Sequence, residues 1–248
     1  TKLSVKDHFA LAQVNKECRD VVYRLEPLEF MRMCIYYDDS TYRRAAMQRV
    51  DKAVEIGRLD VLKWVWEREP SCRKVQVWLR HIEVAGLHGQ KEVLDWFFTL
   101  PREDFALEGY TEQFVKALAT FREALRGAAR GGHLELVKHL REKGCEWNES
   151  TCTSAAQEGH VHVLEYLRTN DCPWDSDACA SAAGGDHLDT LKWLREHGCP
   201  WDEKVTAIAA QNGYFEMLKW LHEHGCPGWD AESFAAAVTY GSLKVLTW

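Results

Sequence analysis

The 248-residue chain has no long hydrophobic run, no surplus of basic charge and little proline or glycine, and each shortage removes a class of protein. Its longest apolar stretches, around Trp96-Phe97-Phe98 and over 207–210, fall far short of the roughly 20 residues that span a bilayer. Lys and Arg number 31 against 38 Asp and Glu, a formal charge of −7. No overall positive field is therefore available to hold a phosphate backbone or an anionic membrane, and neither nucleic acid nor membrane insertion is expected. Six Pro and 16 Gly exclude collagen-like and low-complexity chains, while 46% hydrophobic and 28% charged residues are ordinary for a folded protein. The opening TKLSVKDHFALAQ has no continuous apolar stretch before a small-residue cleavage site, so no signal peptide is expected there. Gly-rich phosphate loops, a Gly-x-Ser-x-Gly elbow and a His-Glu-x-x-His pair are missing too. The chain is expected to hold no catalytic, cofactor or metal site. What it has in unusual supply is nine Cys and eleven Trp.

Those two residue types lie on a period. Segments beginning at His133, His160, His187 and Tyr214 align as HLELVKHLREKGCEWNESTCTSAAQEG, HVHVLEYLRTNDCPWDSDACASAAGGD, HLDTLKWLREHGCPWDEKVTAIAAQNG and YFEMLKWLHEHGCPGWDAESFAAAVTYG, with starts 27 residues apart. The next start, Ser242, comes one residue late because Gly228 is inserted between Pro227 and Trp229. Weaker copies of the half-repeat, GRLDVLKW from Gly57 and GQKEVLDW from Gly89, lie upstream at irregular spacings of 32 and 43.

Each copy reads as two helices. In the second, Leu188, Leu191 and Leu194 form one apolar face, with Asp189, Lys192, Arg195 and Glu196 turned outward. Gly198 supplies the left-handed closing residue and Pro200 prevents resumption. Asn148, Asp175, Asp202 and Asp230 stand where an N-cap is needed. The first helix is short and built around Ala155-Ala156, Ala182-Ala183, Ala209-Ala210 and Ala237-Val238, small side chains that permit close helix approach. A tight turn follows at Gly159, Gly213 and Gly241, with Asp186 in that place once. A 27-residue amphipathic pair cannot bury its apolar face alone, so the copies must stack into an all-α solenoid. The expected division is an N-terminal helical segment over 1–40 and a solenoid over 41–248, regular from 133, with an insert near 101–119 that lengthens one unit by about 16 residues.

The run Ala128-Ala129-Arg130-Gly131-Gly132-His133-Leu134-Glu135, repeated as Ala155-Ala156-Gln157-Glu158-Gly159-His160, resembles the inter-helix turn of the ankyrin repeat. The following Leu-x-x-x-Gly-Cys resembles the ankyrin Leu-x-x-x-Gly-Ala. The likeness covers at least four units over 133–248 and, more loosely, 43–100. Two departures stand out. Ankyrin units usually have about 33 residues, so the β-hairpin finger is expected to shrink to a Cys-Pro-Trp-Asp turn, and the Thr-Pro-Leu-His start of the first helix is absent. Residues 3–20, LSVKDHFALAQVNKECRD, look like the latter half of an F-box, whose helices dock on the adaptor of a cullin ubiquitin ligase while a repeat domain captures substrate. A plain helical cap over the first repeat is the alternative. A chain that starts without Met and ends at Trp248, halfway through a second helix, is expected to be a fragment or to be followed by more repeats.

Cys145, Cys172, Cys199 and Cys226 recur every 27 residues, with His197 and His224 two residues before the last two. Equivalent residues of stacked helices sit about 8–10 Å apart, too far for one zinc ion with ligands at about 2.0–2.3 Å or for disulfides, whose Cα atoms lie within about 7 Å. These thiols, and Cys152 and Cys179 by the same logic, are expected to be compact buried hydrophobes. Reduced thiols point to a cytoplasmic or nuclear compartment. As the ankyrin resemblance implies, His133, His160 and His187 read as turn-stabilising hydrogen-bonding residues rather than general bases. Trp147, Trp174, Trp201 and Trp229 form one ladder in the turn. Trp64, Trp96, Trp193, Trp220 and Trp248 form a second on the second helices, where His139 and Tyr166 substitute. Both ladders are expected to supply packing area; a partly open turn ladder would instead offer anchors to a protein partner.

By the ankyrin resemblance, the surface of the first helices is concave and binds protein. Gln157 and Glu158, Gln211 and Asn212, Thr239 and Tyr240 follow the Ala pair on that face and vary between copies while the framework stays constant. Specialisation for a partner or drift at solvated positions gives the same contrast. The 101–119 insert is either a protruding contact element or a folding filler. The leading expectation is a non-enzymatic protein-interaction scaffold; the alternatives are a substrate receptor of an F-box ubiquitin ligase and a structural subunit of a larger assembly.

Overall fold

The computed structural model describes residues 50–68, 75–100 and 121–229. The expected 1–40 segment, the 101–119 insert and everything from Asp230 onward, including Thr239, Tyr240, Gly241 and Trp248, lie outside the described residues. After helical residues 50–55 come α1 (Leu59–Arg68), α2 (Val75–Leu87), α3 (Lys91–Thr99), α4 (Arg122–Arg130), α5 (Leu134–Glu142), α6 (Glu149–Gln157), α7 (Val161–Thr169), α8 (Ser176–Gly184), α9 (Leu188–Glu196), α10 (Glu203–Asn212) and α11 (Phe215–Glu223). No strand occurs among the described residues, and the segments holding Cys172-Pro173-Trp174-Asp175 and Cys199-Pro200-Trp201-Asp202 are plain turns.

Each second helix buries a stripe one residue wide at its start and one turn long: Leu136, Val137 and Leu140 in α5, Val163, Leu164 and Leu167 in α7, Met217, Leu218 and Leu221 in α11. In α9 the stripe is Thr190, Leu191 and Leu194, whereas Leu188, expected on the same face, is only partly buried at the helix start. Thr190 stays in the stripe because its position in the turn, rather than its polarity, decides which neighbour it meets. A fully buried Leu such as Leu164 or Leu194 contributes about 1.5–3 kcal/mol.

α4, α6 and α8 are buried on most of their circumference, because each is sandwiched between the first helices of both neighbours and its own second helix. α2, α4, α6, α8 and α10 pack in sequence against one another, while second helices touch each other sparsely. Small side chains make this approach feasible: Ala155, Ala156, Ala182, Ala183 and Ala209 are all fully buried. The closest approach joins α2 and α4, where an ideal Cβ on Gly127 would lie 2.1 Å from the Glu83 carbonyl oxygen and one on Gly86 2.4 Å from that of Ala124. Two helices separated in sequence by the 101–119 insert are thus directly stacked.

Caps occupy the predicted places. The Asp175 carboxylate accepts from the Asp177 N–H and that of Asp202 from the Lys204 N–H, each at 3.1 Å. Asn148 donates its own N–H to Thr151 Oγ1 at 3.4 Å. The turn residue between the helices is left-handed in every described unit, and Asp186 adopts φ 61° where the others use glycine.

Candidate protein-binding groove and the ladders that hold it

Side by side, α6, α8 and α10 leave a groove of about 610 Å³ on the first-helix face. Its floor is Ala180, Ser181, Gly184 and Gly185 of the central unit, where small residues leave room. Its walls are Thr153, Gln157 and Glu158 on one side and Lys204 and Ile208 on the other. The charges are paired across units: Arg130 Nε meets Glu158 Oε1 at 3.0 Å and Lys204 Nζ meets Asp177 Oδ1 at 3.2 Å. Both pairs are solvent-exposed, so they contribute little to stability but present both signs of charge to anything entering the groove. A further pair, Arg126 to Glu83 at 2.7 Å, continues the row across α2 and α4.

Of the expected contact residues, Gln157 and Glu158 are exposed and line this groove. Gln211 and Asn212 are exposed at the end of α10 but are not among its lining residues, and Asn212 Nδ2 turns back to the Ile208 carbonyl at 3.0 Å. Lys204 and Ile208 were missed from sequence because they reach the groove from the following unit, one to two turns before the varied pair.

Four of the periodic turn residues hydrogen-bond to the preceding unit. His133 Nε2 lies 2.9 Å from the Leu87 carbonyl, His160 bonds the backbone of Arg130, and Tyr214 Oη reaches the Gly184 carbonyl at 3.5 Å. Gln90, in the same register, donates to the Glu55 carbonyl at 2.7 Å. Each thus satisfies a carbonyl at the end of the neighbouring first helix, where intrahelical partners run out. The glycines before them are required by this contact as well as by their positive φ: a Cβ on Gly132 would stand 2.7 Å from the His160 ring.

Burial holds the His160 imidazole below the ordinary histidine range, outweighing the Arg130 carbonyl that favours the charged form. A folded-state pKa below the unfolded value of about 6.5 means the unfolded chain takes up the proton first. The stabilising contribution is therefore complete above that value and declines as pH falls towards the depressed one. His160→Gln, which copies Gln90, keeps a donor and removes the titration. Its Tm is expected to fall less than that of the parent between pH 7.5 and 5.5; equal slopes would show that His160 is not the titrating group.

The two tryptophan ladders form one spine. Trp147 and Tyr166, Trp174 and Trp193, Trp201 and Trp220 meet edge to face at 6.3, 6.2 and 5.9 Å. Arg141, Arg168 and Arg195 stack over Trp147, Trp174 and Trp201 at 3.8, 4.5 and 3.9 Å. Arg141 and Arg195 also donate to the carbonyls of Cys145 and Cys199 at 2.7 and 2.6 Å, which ties the shortened turn to the second helix. The constant offset of 19 residues between ladders was a readable signal that comparison of equivalent positions alone overlooks. Trp229, at 41% exposure, is the most open of the turn tryptophans described.

The periodic thiols are buried: Cys145 is pushed up to about 12 by desolvation, which makes it inert at neutral pH. Among the described residues no three His, Cys, Asp or Glu side chains gather to hold a metal ion, and no helix is long and apolar enough to cross a membrane.

Stacked helix pairs with short connections, each burying its face on the next, define a helical-repeat solenoid. The inter-helix turn and its histidine ladder narrow that class. Residues 177–225 match the family model for ankyrin repeats (many copies), and that stretch holds no finger strands. That match does not reach residues 3–20. No curated protein matches the chain. Ankyrin repeats are in general protein-interaction modules and typically not enzymes.

Proposed function

We propose that this array is a protein-binding scaffold whose contact surface is the groove over α6, α8 and α10, with Gln157 and Glu158 on its wall and Gln211, Asn212 and, beyond the described residues, Thr239 and Tyr240 continuing the same row. The observation that carries the reading is the floor of Ala180, Ser181 and Gly184 between walls that offer both signs of charge. A partner segment can enter there without displacing a large side chain. Entry also lets it exchange exposed ion pairs of low worth for its own.

The test fills the floor. Affinity purification with the parent chain identifies partners, and the same purification with Ser181→Arg is expected to recover them at least about tenfold less, about 1.4 kcal/mol of binding. Glu165→Arg, an exposed position on α7 away from the groove, keeps full recovery. Equal recovery by both variants, each with an unchanged helical circular dichroism spectrum, would place the contact elsewhere.

A further inference from the structure

Two pairs of buried thiols stand in the same relation one repeat apart. Cys152 on α6 is paired with Cys172 in the turn before α8, and Cys179 on α8 with Cys199 in the turn before α10. Cys172 Sγ is 3.6 Å from the Asn148 carbonyl oxygen and Cys199 Sγ 3.3 Å from that of Asp175. Those carbonyls belong to the N-caps of α6 and α8, and Cys152 and Cys179 stand four residues, one helical turn, further on. Each turn thiol therefore sits beside the helix thiol of its pair. All four are fully buried and free. The next unit has the same geometry, Cys226 Sγ 3.8 Å from the Asp202 carbonyl, but Thr206 replaces the helix thiol. One unit earlier, Leu125 holds the helix position in register with Cys145.

We propose that Cys152 with Cys172 and Cys179 with Cys199 are two reserve disulfides, closed by hydrogen peroxide, each cross-linking a first helix to the turn that leads into the following unit. In the second pair Cys199 starts the reaction. The neighbouring Cys179 side chain holds the Cys199 thiol below the ordinary cysteine range. Its thiolate attacks one peroxide oxygen; the O–O bond breaks and hydroxide leaves, taking up the proton lost by the thiol to form water, and a sulfenic acid remains. The Cys179 sulfur then attacks the sulfenyl sulfur. The S–S bond forms, the S–O bond breaks, and the hydroxyl departs with the Cys179 proton as a second water. Two thiols are oxidised by two electrons and one peroxide is reduced to two waters. Burial favours an oxidant close to water in size over a bulky disulfide. Thr153 in the wall of the groove and Ala180 in its floor adjoin Cys152 and Cys179, so the cross-links stiffen both.

The test uses the full 248-residue chain, reduced, exposed to peroxide under native conditions, alkylated, digested without reductant and read by tandem mass spectrometry. The expected result is two linked peptide pairs, 152 to 172 and 179 to 199, with Cys145 and Cys226 still alkylated. Thr206→Cys, which completes the third pair, is expected to add a 206 to 226 link. Cys179→Thr, which copies the natural third unit, is expected to leave Cys199 without a disulfide and the 152 to 172 link unchanged. Cys152, Cys172, Cys179 and Cys199 all remaining alkylatable would overturn the proposal. So would loss of Cys145 and Cys226 at the rate of the paired thiols, or a Thr206→Cys chain that folds and gains no link.

Discussion

Gly127→Ala is expected to destabilise the array by about 1–3 kcal/mol, the usual cost of overpacking a close-packed interior, although glycine to alanine inside a helix ordinarily stabilises by about 0.8–1 kcal/mol. The sign reverses because the added methyl would fall 2.1 Å from the Glu83 carbonyl oxygen and 2.9 Å from the Leu87 nitrogen, both backbone atoms that no rotamer change can move. Relief requires α2 and α4 to separate, which opens the junction along its length and weakens the reciprocal contact of Gly86 with Ala124. Gly184→Ala is the control: it too lies in a first helix, but its Cβ would meet only Ile208 Cγ2 at an ordinary 3.7 Å. That variant is expected to gain about 0.4–1 kcal/mol. Urea unfolding of both, with amide exchange to locate the loss at α2 and α4, checks the pair. A stabilised Gly127→Ala would mean that the two helices are not in backbone contact.

The contrast also shows what a linear reading can hold. The 27-residue period, the caps at Asn148, Asp175 and Asp202, and the left-handed Asp186 were legible because each is decided by residues a few positions away. The same locality made the helix-pair solenoid legible. Gly86 and Gly127 carry no such signal: they are separated by the insert, and their role exists only once α2 lies on α4. The groove was half legible. Gln157 and Glu158 stood out by varying among copies, whereas Lys204 and Ile208 belong to the next unit and take meaning from stacking. Comparison of equivalent positions hid the cysteine pairs for a different reason. Cys145, Cys172 and Cys199 are a repeat apart and cannot meet, but Cys152 and Cys172, 20 residues apart and inequivalent, are brought together by the fold.

Trp193→Ala is expected to cost about 3 kcal/mol, the lower end of what removing a packed tryptophan costs, and the loss is expected to be local. Trp193 supports Trp174 edge-on at 6.2 Å and stacks on His197 at 4.1 Å, and Trp174 in turn carries Arg168 at 4.5 Å. Removing one indole therefore unseats the aromatic and the guanidinium of the turn before α8. In a one-dimensional array each unit is stabilised only by itself and its neighbours, so the deficit has no single core over which to spread. Amide protection is expected to drop across α8, α9 and α10 while α4 and α5 retain theirs. Trp193→Tyr copies Tyr166, which meets Trp147 at 6.3 Å in the unit before. It keeps a ring in the same edge-to-face position and is expected to cost less than about 1.5 kcal/mol. A uniform fall in protection from α4 to α11 would show that the units unfold as one body, and the nearest-neighbour account of this solenoid would fail with it.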